Sequence, residues 1–182
     1  MGKIYDGIDD RLQAWIAKQS VFFVGTAPLS GDGHVNVSPK GMAGTFAVLG
    51  PHRVGYLDYF GSGAETVAHL RENGRIVIMF CAFIGPPKIV RLHGRGRVVR
   101  PDDPEFDELR PGFDKDRAHG QRSIIVVDLD RVADSCGYSV PRLDFVEDRN
   151  ILDLRQLKKP SEYYDEYWDG QNAASIDGLP TH

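Results

Sequence analysis

The sequence predicts a mainly β protein, an antiparallel barrel with peripheral helices, and three observations predict it. Short runs rich in β-branched and aromatic residues recur along most of the chain. Turns built from Gly, Pro, Asn and Asp separate them at intervals of about ten residues, while stretches of helical period are few. Neither a dinucleotide fingerprint nor a Walker motif is present, so a parallel Rossmann sheet is disfavoured.

The elements follow in order. Ile8, Leu12, Trp15 and Ile16 recur at helical spacing, predicting an amphipathic helix over residues 6–19 with Asp6 as its cap. Residues 21–27 and 34–38 flank the turn at 28–33 and read as a hairpin. Residues 45–49 and 54–60 flank Gly50, Pro51, His52 and Arg53 and form a second. A helix over 62–72 turns Val67 and Leu70 to a core and stops at Asn73 and Gly74. Residues 75–83 and 88–100 make a third strand pair, in which Gly94 and Gly96 predict a bulge, a bend or a close backbone approach. Residues 101–109 form an acidic helix, 124–129 the last central strand and 144–159 a helix. The remainder reads as a tail that wraps a partner or stays loosely held, so residues 1–145 form the main domain and 146–182 an extension.

Composition narrows the function classes. A chain of 182 residues with 41% hydrophobic content supports one sizeable core. The net charge of −4 argues against nucleic-acid binding. The longest apolar run, residues 76–84, falls short of the roughly 20 residues needed to span a bilayer. Residues 1–20 are too charged for a secretory signal, so no membrane and a cytoplasmic location are expected. Cys81 and Cys136 stand in no metal or redox spacing, and the six histidines form no paired ligand motif, so no metal is expected. No serine sits in a nucleophile elbow.

The chemistry concentrates at residues 55–66 (GYLDYFGSGAET), where an apolar strand breaks at a small-residue turn and a helix begins. Glycine admits close backbone approach, and the first N–H groups of a helix lack internal partners, so this is a place to hold a phosphate. Ser62 and Glu65 equally read as a capping box. Ser38, Lys40 and Gly41 end a strand with a hydroxyl, a cation and a glycine, and Tyr56, Asp58 and Tyr59 stand where they can frame an aromatic cofactor. Alternation puts Arg91, His93, Arg95 and Arg97 on one face of their strand. That face is either a solvated surface or a cationic wall for an anionic ligand.

Taken together, residues 35–41 (VNVSPKG), 55–70 (GYLDYFGSGAETVAHL), 76–83 (IVIMFCAF) and 88–99 (KIVRLHGRGRVV) resemble the pyridoxamine 5'-phosphate oxidase-like, FMN-binding split-barrel family. The likeness spans residues 5–145 and is to the broad family more than to the vitamin B6 oxidase itself. It implies a six-stranded antiparallel split β-barrel, a homodimer, and one FMN in each of two interface clefts. It also implies cofactor contacts at Ser38, Lys40, Tyr56, Leu57, Asp58, Ser62, Gly63 and Thr66, and at Lys88 and Arg91 on the later strand. Ile89 stands where the family has a glutamine, and Ser62, Gly63 and Ala64 stand where the true oxidases have a Ser-Arg-Lys phosphate cluster. Lys40, Arg91 or an arginine of the partner chain would take over that role. The function expected is FMN binding with flavin-dependent oxidoreduction of a small substrate, no catalytic residue being assigned. The alternatives are a noncatalytic flavin carrier or sensor, or a binder of a deazaflavin or tetrapyrrole in the same cleft.

Overall fold

The computed structural model describes residues 2–115 and 119–182. Its centre is one antiparallel sheet in the order β3-β2-β6-β7-β8-β5-β4, with a short β1 added to β8. In chain order these are β1 (Ile4–Tyr5), β2 (Phe22–Thr26), β3 (Asn36–Lys40), β4 (Phe46–Gly50), β5 (Arg53–Tyr59), β6 (Arg75–Cys81), β7 (Ile89–Val99) and β8 (Gln121–Ser135). The helices are α1 (Asp10–Ile16), α2 (Glu65–Glu72), α3 (Pro104–Leu109), α4 (Ile151–Gln156) and α5 (Glu162–Asp169).

The sheet wraps on itself. Phe46 of edge strand β4 meets Phe22 of β2 at 5.2 Å and Phe80 of β6 at 5.0 Å between ring centroids. β3 and β4, the two ends of the sheet, are joined by the chain at 41–45 and not by ladder bonds. The barrel is therefore split, as the resemblance implied, but the described residues form eight strands and not six. Beyond the seven strands read from the sequence the structure adds the two-residue β1, which pairs with the far half of β8, itself fifteen residues long and not the six of 124–129. Along one edge β8 pairs with β5 through Arg53↔Asp128 to Tyr59↔Gln121 and then with β1 through Tyr5↔Val132. Along the other it pairs with β7.

β8 is apolar on both faces because two cores sandwich it. Ile125 and Val127 join Val24, Tyr56, Ile78 and Leu92 inside the barrel. Ile124 and Val126 join Leu57, Val99 and Phe113 in a second cluster outside it. A strand buried on both sides reads as a continuous hydrophobic run, which is why this segment is plain in the sequence.

Several boundaries differ from expectation for local reasons. α1 starts at Asp10 because Asp9, not Asp6, accepts from the Leu12 N–H at 2.7 Å. α2 starts at Glu65 with Ala64 as its N-cap and no side-chain cap bond, so the Ser62/Glu65 capping box is not formed. The helix expected over 144–159 is confined to α4. The preceding stretch is held open by Leu143 N–H to Phe83 O at 3.1 Å and by Ala43 N–H to the Asp148 carboxylate at 2.9 Å. Asp144, Glu147 and Asp148 also repel along any helix formed there. The tail folds onto its own chain: α5 buries Tyr164 and Trp168 against Phe60. None of the helices among the described residues is long and apolar enough to cross a membrane.

The two strand glycines mark close approaches. The β7–β8 register shifts at His93/Gly94, and a Cβ at Gly94 would lie 2.1 Å from the Asp128 carbonyl oxygen. At Gly96 it would lie 2.8 Å from the tip of the Leu70 side chain, which seats α2 on the sheet. Backbone cannot yield as a side-chain methyl can. Gly94→Ala is expected to lower stability by about 3 kcal/mol or more and Gly96→Ala by about 1 kcal/mol, read from urea midpoints of the two variants.

Candidate functional site

The turn singled out in the sequence lies where β5 hands over to α2. Leu57, Asp58, Phe60 and Gly61 line an open groove of about 2210 Å³, together with Lys40 and Met42 from the end of β3 and its loop. Tyr5, Trp15 and Lys88 line it too. Met42 takes a left-handed backbone, φ 69°, rare for a residue with a side chain. It is fastened by the Thr45 hydroxyl donating to its carbonyl at 2.8 Å. A non-glycine residue held in that region beside a cleft is a common mark of a functional loop.

Asp58 is the electrostatic centre of the turn. It is 3% exposed, and its carboxylate accepts from Arg122 Nε at 2.6 Å and from the Ser123 hydroxyl at 3.3 Å. Lys40 Nζ stands 3.9 Å from the other oxygen. Burial pushes this carboxyl up, but the Arg122 and Lys40 charges and the hydrogen bonds outweigh it and hold Asp58 below the usual carboxylate range. Arg122 also donates to Gly63 O at 3.1 Å and to Asn172 Oδ1 at 2.8 Å. Ser62 and Gly63 are exposed. The Glu65 carboxylate folds toward the turn, so that a Cβ at Gly63 would lie 2.7 Å from Glu65 Oε2.

A second polar network joins β3 to α2. The Ser38 hydroxyl donates to Asn36 Oδ1 at 3.0 Å, and Asn36 Nδ2 donates to Thr26 and Thr66 at 3.1 Å each. Thr26 in turn meets His69 Nδ1 at 2.9 Å. His69 is fully buried, and burial pulls its imidazole below the ordinary range, so it is neutral. Tyr56 is also fully buried, its phenol raised by burial and by Asp58.

Lys88 belongs to a third cluster. Its Nζ lies 5.1 Å from the Trp15 ring centroid, donates to the Tyr5 hydroxyl at 3.2 Å and stands 3.7 Å from Asp134. Tyr5 donates to Asp134 at 2.5 Å, and its pKa is raised to about 12 by desolvation and by that carboxylate. Arg91, by contrast, donates to Ser135 at 3.0 Å and lines a separate small pocket with Ile4 and Arg131. Arg95 donates to Asn73 O at 2.7 Å and Arg97 to Glu105 at 2.5 Å. The three arginines of β7 are thus divided among separate partners, and with His93 they do not form one cationic wall.

Of the ten residues expected at a cofactor site, Lys40, Leu57, Asp58 and Lys88 line the groove. Ser38 and Thr66 share the Asn36 network, Tyr56 is buried in the barrel core, Ser62 and Gly63 form the exposed turn, and Arg91 stands apart. Sequence reasoning missed Arg122, Asn172 and Asn36. The available signal was Asp58 itself: a carboxylate within an apolar strand calls for a buried counter-charge, and Arg122 opens the apolar run of β8. Among the described residues no group of three or more His, Cys, Asp or Glu is placed to hold a metal.

Asp58→Asn leaves Arg122 buried without its counter-charge and is expected to cost about 3–5 kcal/mol. Because the folded-state pKa of Asp58 is lowered, the pair's contribution is present above the ordinary carboxylate range and is lost as pH falls through the folded value. Urea midpoints of wild type and Asp58→Asn should therefore converge on acidification from about pH 7 to about pH 3.

Comparison with known proteins agrees with this architecture. The family model described as pyridoxamine 5'-phosphate oxidase matches residues 8–136. The pyridoxamine 5'-phosphate oxidase family protein ustO of Aspergillus flavus is 40% identical over 190 residues, spanning 97% of this chain and 76% of that protein. Among solved structures, Group A Streptococcus HupZ is similar at TM-score 0.54 and 15% identity, covering 75% of this chain and 99% of that one. An FAD binding protein from Mycobacterium smegmatis is similar at TM-score 0.50 and 13% identity, covering 73% of this chain and 96% of that one. At those identities the structural likeness concerns the fold. The length of the family match and the identity to ustO carry the assignment: the chain belongs to the pyridoxamine 5'-phosphate oxidase family.

Proposed function

We propose that the protein binds FMN in the groove beside the 57–63 turn and acts as a flavin-dependent oxidoreductase on a small substrate. The observation that carries this reading is the convergence of aromatic side chains, lysines and a glycine turn on one groove. Lys40, Leu57, Asp58 and Phe60 meet there, and Gly61 is so open that an added Cβ would find nothing nearer than 3.9 Å. These residues fit the group: an open glycine lets backbone reach a phosphate, aromatic and aliphatic walls suit a planar ring system, and lysine offsets the anion. Lys40, the Ser62 hydroxyl and the backbone N–H groups of the turn through Gly63 to Ala64 would hold the phosphate. Leu57 and Asp58 would border the ring, Ser38, Tyr56 and Thr66 would support them from behind, and Lys88 would meet the ring or the substrate. When bound, the flavin supplies the electron-transfer chemistry; the chain binds it, orients it and limits water.

A homodimer is supported by the sheet face opposite the barrel core, where Val37 is 64% and Ile4 64% exposed. In this assembly Arg91, set near Ile4, would serve the partner subunit's cleft. Residues 1–145 would form the flavin module and 146–182 its extension. Two unpaired cysteines support a reducing, cytoplasmic setting.

The test is the visible spectrum of the purified protein before and after titration with FMN. Flavin bands, or saturable uptake at about one FMN per chain, are expected, followed by reduction by a nicotinamide donor and reoxidation with substrate turnover. Binding and release without turnover would instead make the protein a carrier; no uptake would overturn the flavin reading. Lys40→Ala with Ser62→Ala should weaken FMN at least about tenfold and riboflavin little. Glu65→Gln, which removes the carboxylate beside the turn, should tighten FMN a few-fold without changing riboflavin affinity.

A further inference from the structure

The tail that the sequence left unplaced ends up at the glycine turn. Asn172 is fully buried, yet it belongs to a segment without regular secondary structure. Its backbone is fixed on both sides: its N–H donates to Tyr167 O at 2.9 Å, and its carbonyl accepts from the Thr181 hydroxyl at 2.6 Å. Its side chain reaches away from the tail. Nδ2 donates to Gly61 O at 3.1 Å, and Oδ1 accepts from Arg122, which donates in turn to Gly63 O. The Trp168 ring lies 5.8 Å from the Arg122 guanidinium carbon and packs on Phe60.

These contacts fix the direction of two peptide units. In a planar trans peptide the C=O and N–H of one unit point opposite ways, and no described peptide is cis. With the carbonyls of Gly61 and Gly63 drawn toward Asn172 and Arg122, the N–H groups of Ser62 and Ala64 point away from the tail. Neither N–H has an acceptor among the described residues. The side-chain cap that would otherwise occupy such groups is absent at this helix start.

We propose that Asn172 is a positioning residue for the cofactor's phosphate: acting directly on Gly61 and through Arg122 on Gly63, it presents the Ser62 and Ala64 N–H groups to the anion. The C-terminal segment is thereby part of the cofactor site and sets its preference for the phosphorylated over the dephosphorylated flavin. This rests on the FMN reading above. It also accounts for the family's two cationic phosphate ligands being replaced by Gly63 and Ala64, since backbone donors held from behind take over part of their task.

The test compares FMN and riboflavin affinities, by quenching of flavin fluorescence, for wild type, Asn172→Ala and Asn172→Asp. Asn172→Asp keeps the acceptor for Arg122 but sets a carboxylate oxygen against Gly61 O and adds a charge, whereas Asn172→Ala removes the contacts without adding charge. An effect shared by both therefore reports on the turn, and one confined to Asn172→Asp reports repulsion and overturns the proposal. Both variants are expected to weaken FMN about tenfold and to leave riboflavin within about twofold. Equal weakening of both flavins, or unchanged FMN affinity, overturns the proposal. A wild-type chain that takes up neither flavin refutes the flavin reading instead, and inorganic phosphate then decides the turn. Phosphate-induced shifts of the Ser62 and Ala64 amide resonances in wild type, lost in both variants, support the proposal; their absence in wild type overturns it.

Discussion

The ion pair between Asp58 and Arg122 is the interaction on which the rest of this site depends. The two residues sit on adjacent strands, β5 and β8, where Asp58 stands opposite Ser123. Both are almost fully buried. Desolvating two charges is expensive, and a buried pair persists where its remaining hydrogen-bonding capacity is met. Here the carboxylate has Ser123 and Lys40 as further partners, and the guanidinium has Gly63 O and Asn172 Oδ1. The pair therefore joins strand, turn and tail in one network. Its geometric effect is to bind the Gly63 carbonyl and the tail amide to the same guanidinium.

The long strand β8 makes that network possible. It carries Arg122 and Ser123 next to β5, continues past a register shift against β7, and ends beside Tyr5 and Lys88 through Asp134. One strand thus supplies residues to both the Asp58 cluster and the Lys88 cluster. Gly94 is what lets β7 follow β8 through the shift, since its Cβ would collide with the Asp128 carbonyl. Gly96 lets α2 settle onto the sheet, with Gly96 N–H donating to Gly74 O at 2.7 Å. The position of α2, and so of the turn before it, follows from the absence of side chains at two places in a neighbouring strand.

Much of this was legible in the sequence, and the part that was not has a physical cause. The strands were readable because alternation and turn chemistry are local, and Gly94 announced its bulge. The length of β8 was not, because its second half, with Asp128, Asp130, Arg131 and Asp134, is polar enough to hide a ladder formed with distant β1 and β7. Ser62 and Glu65 fit a capping pattern that local rules favour, yet Arg122 and Asn172 decide the turn instead, from 50 residues apart in sequence. Position along the chain cannot disclose such a partnership. Arg91 and Lys40 were candidates for the missing phosphate cations on equal footing; only the fold separates them, placing Lys40 in the groove and Arg91 beside Ile4.

The polar network beneath α2 completes the constraint from the other side. Asn36 donates both protons of its amide, one to each threonine, and accepts from Ser38. Thr26 also meets the neutral His69 ring at Nδ1, while His69 Nε2 is buried without a hydrogen-bond partner among the described residues. The five polar side chains join three elements: β3 for Ser38 and Asn36, β2 for Thr26, α2 for Thr66 and His69. Sliding β3 by one residue would turn Ser38 and Asn36 to the opposite face and leave buried hydroxyls unpaired. Lys40 shares their face, so the same network that anchors α2 also fixes where the lysine enters the groove. β3 with its lysine and the turn between β5 and α2 are thereby tied to each other through Asn36 and Thr66. A site preorganised in this way spends little of its binding free energy on ordering protein.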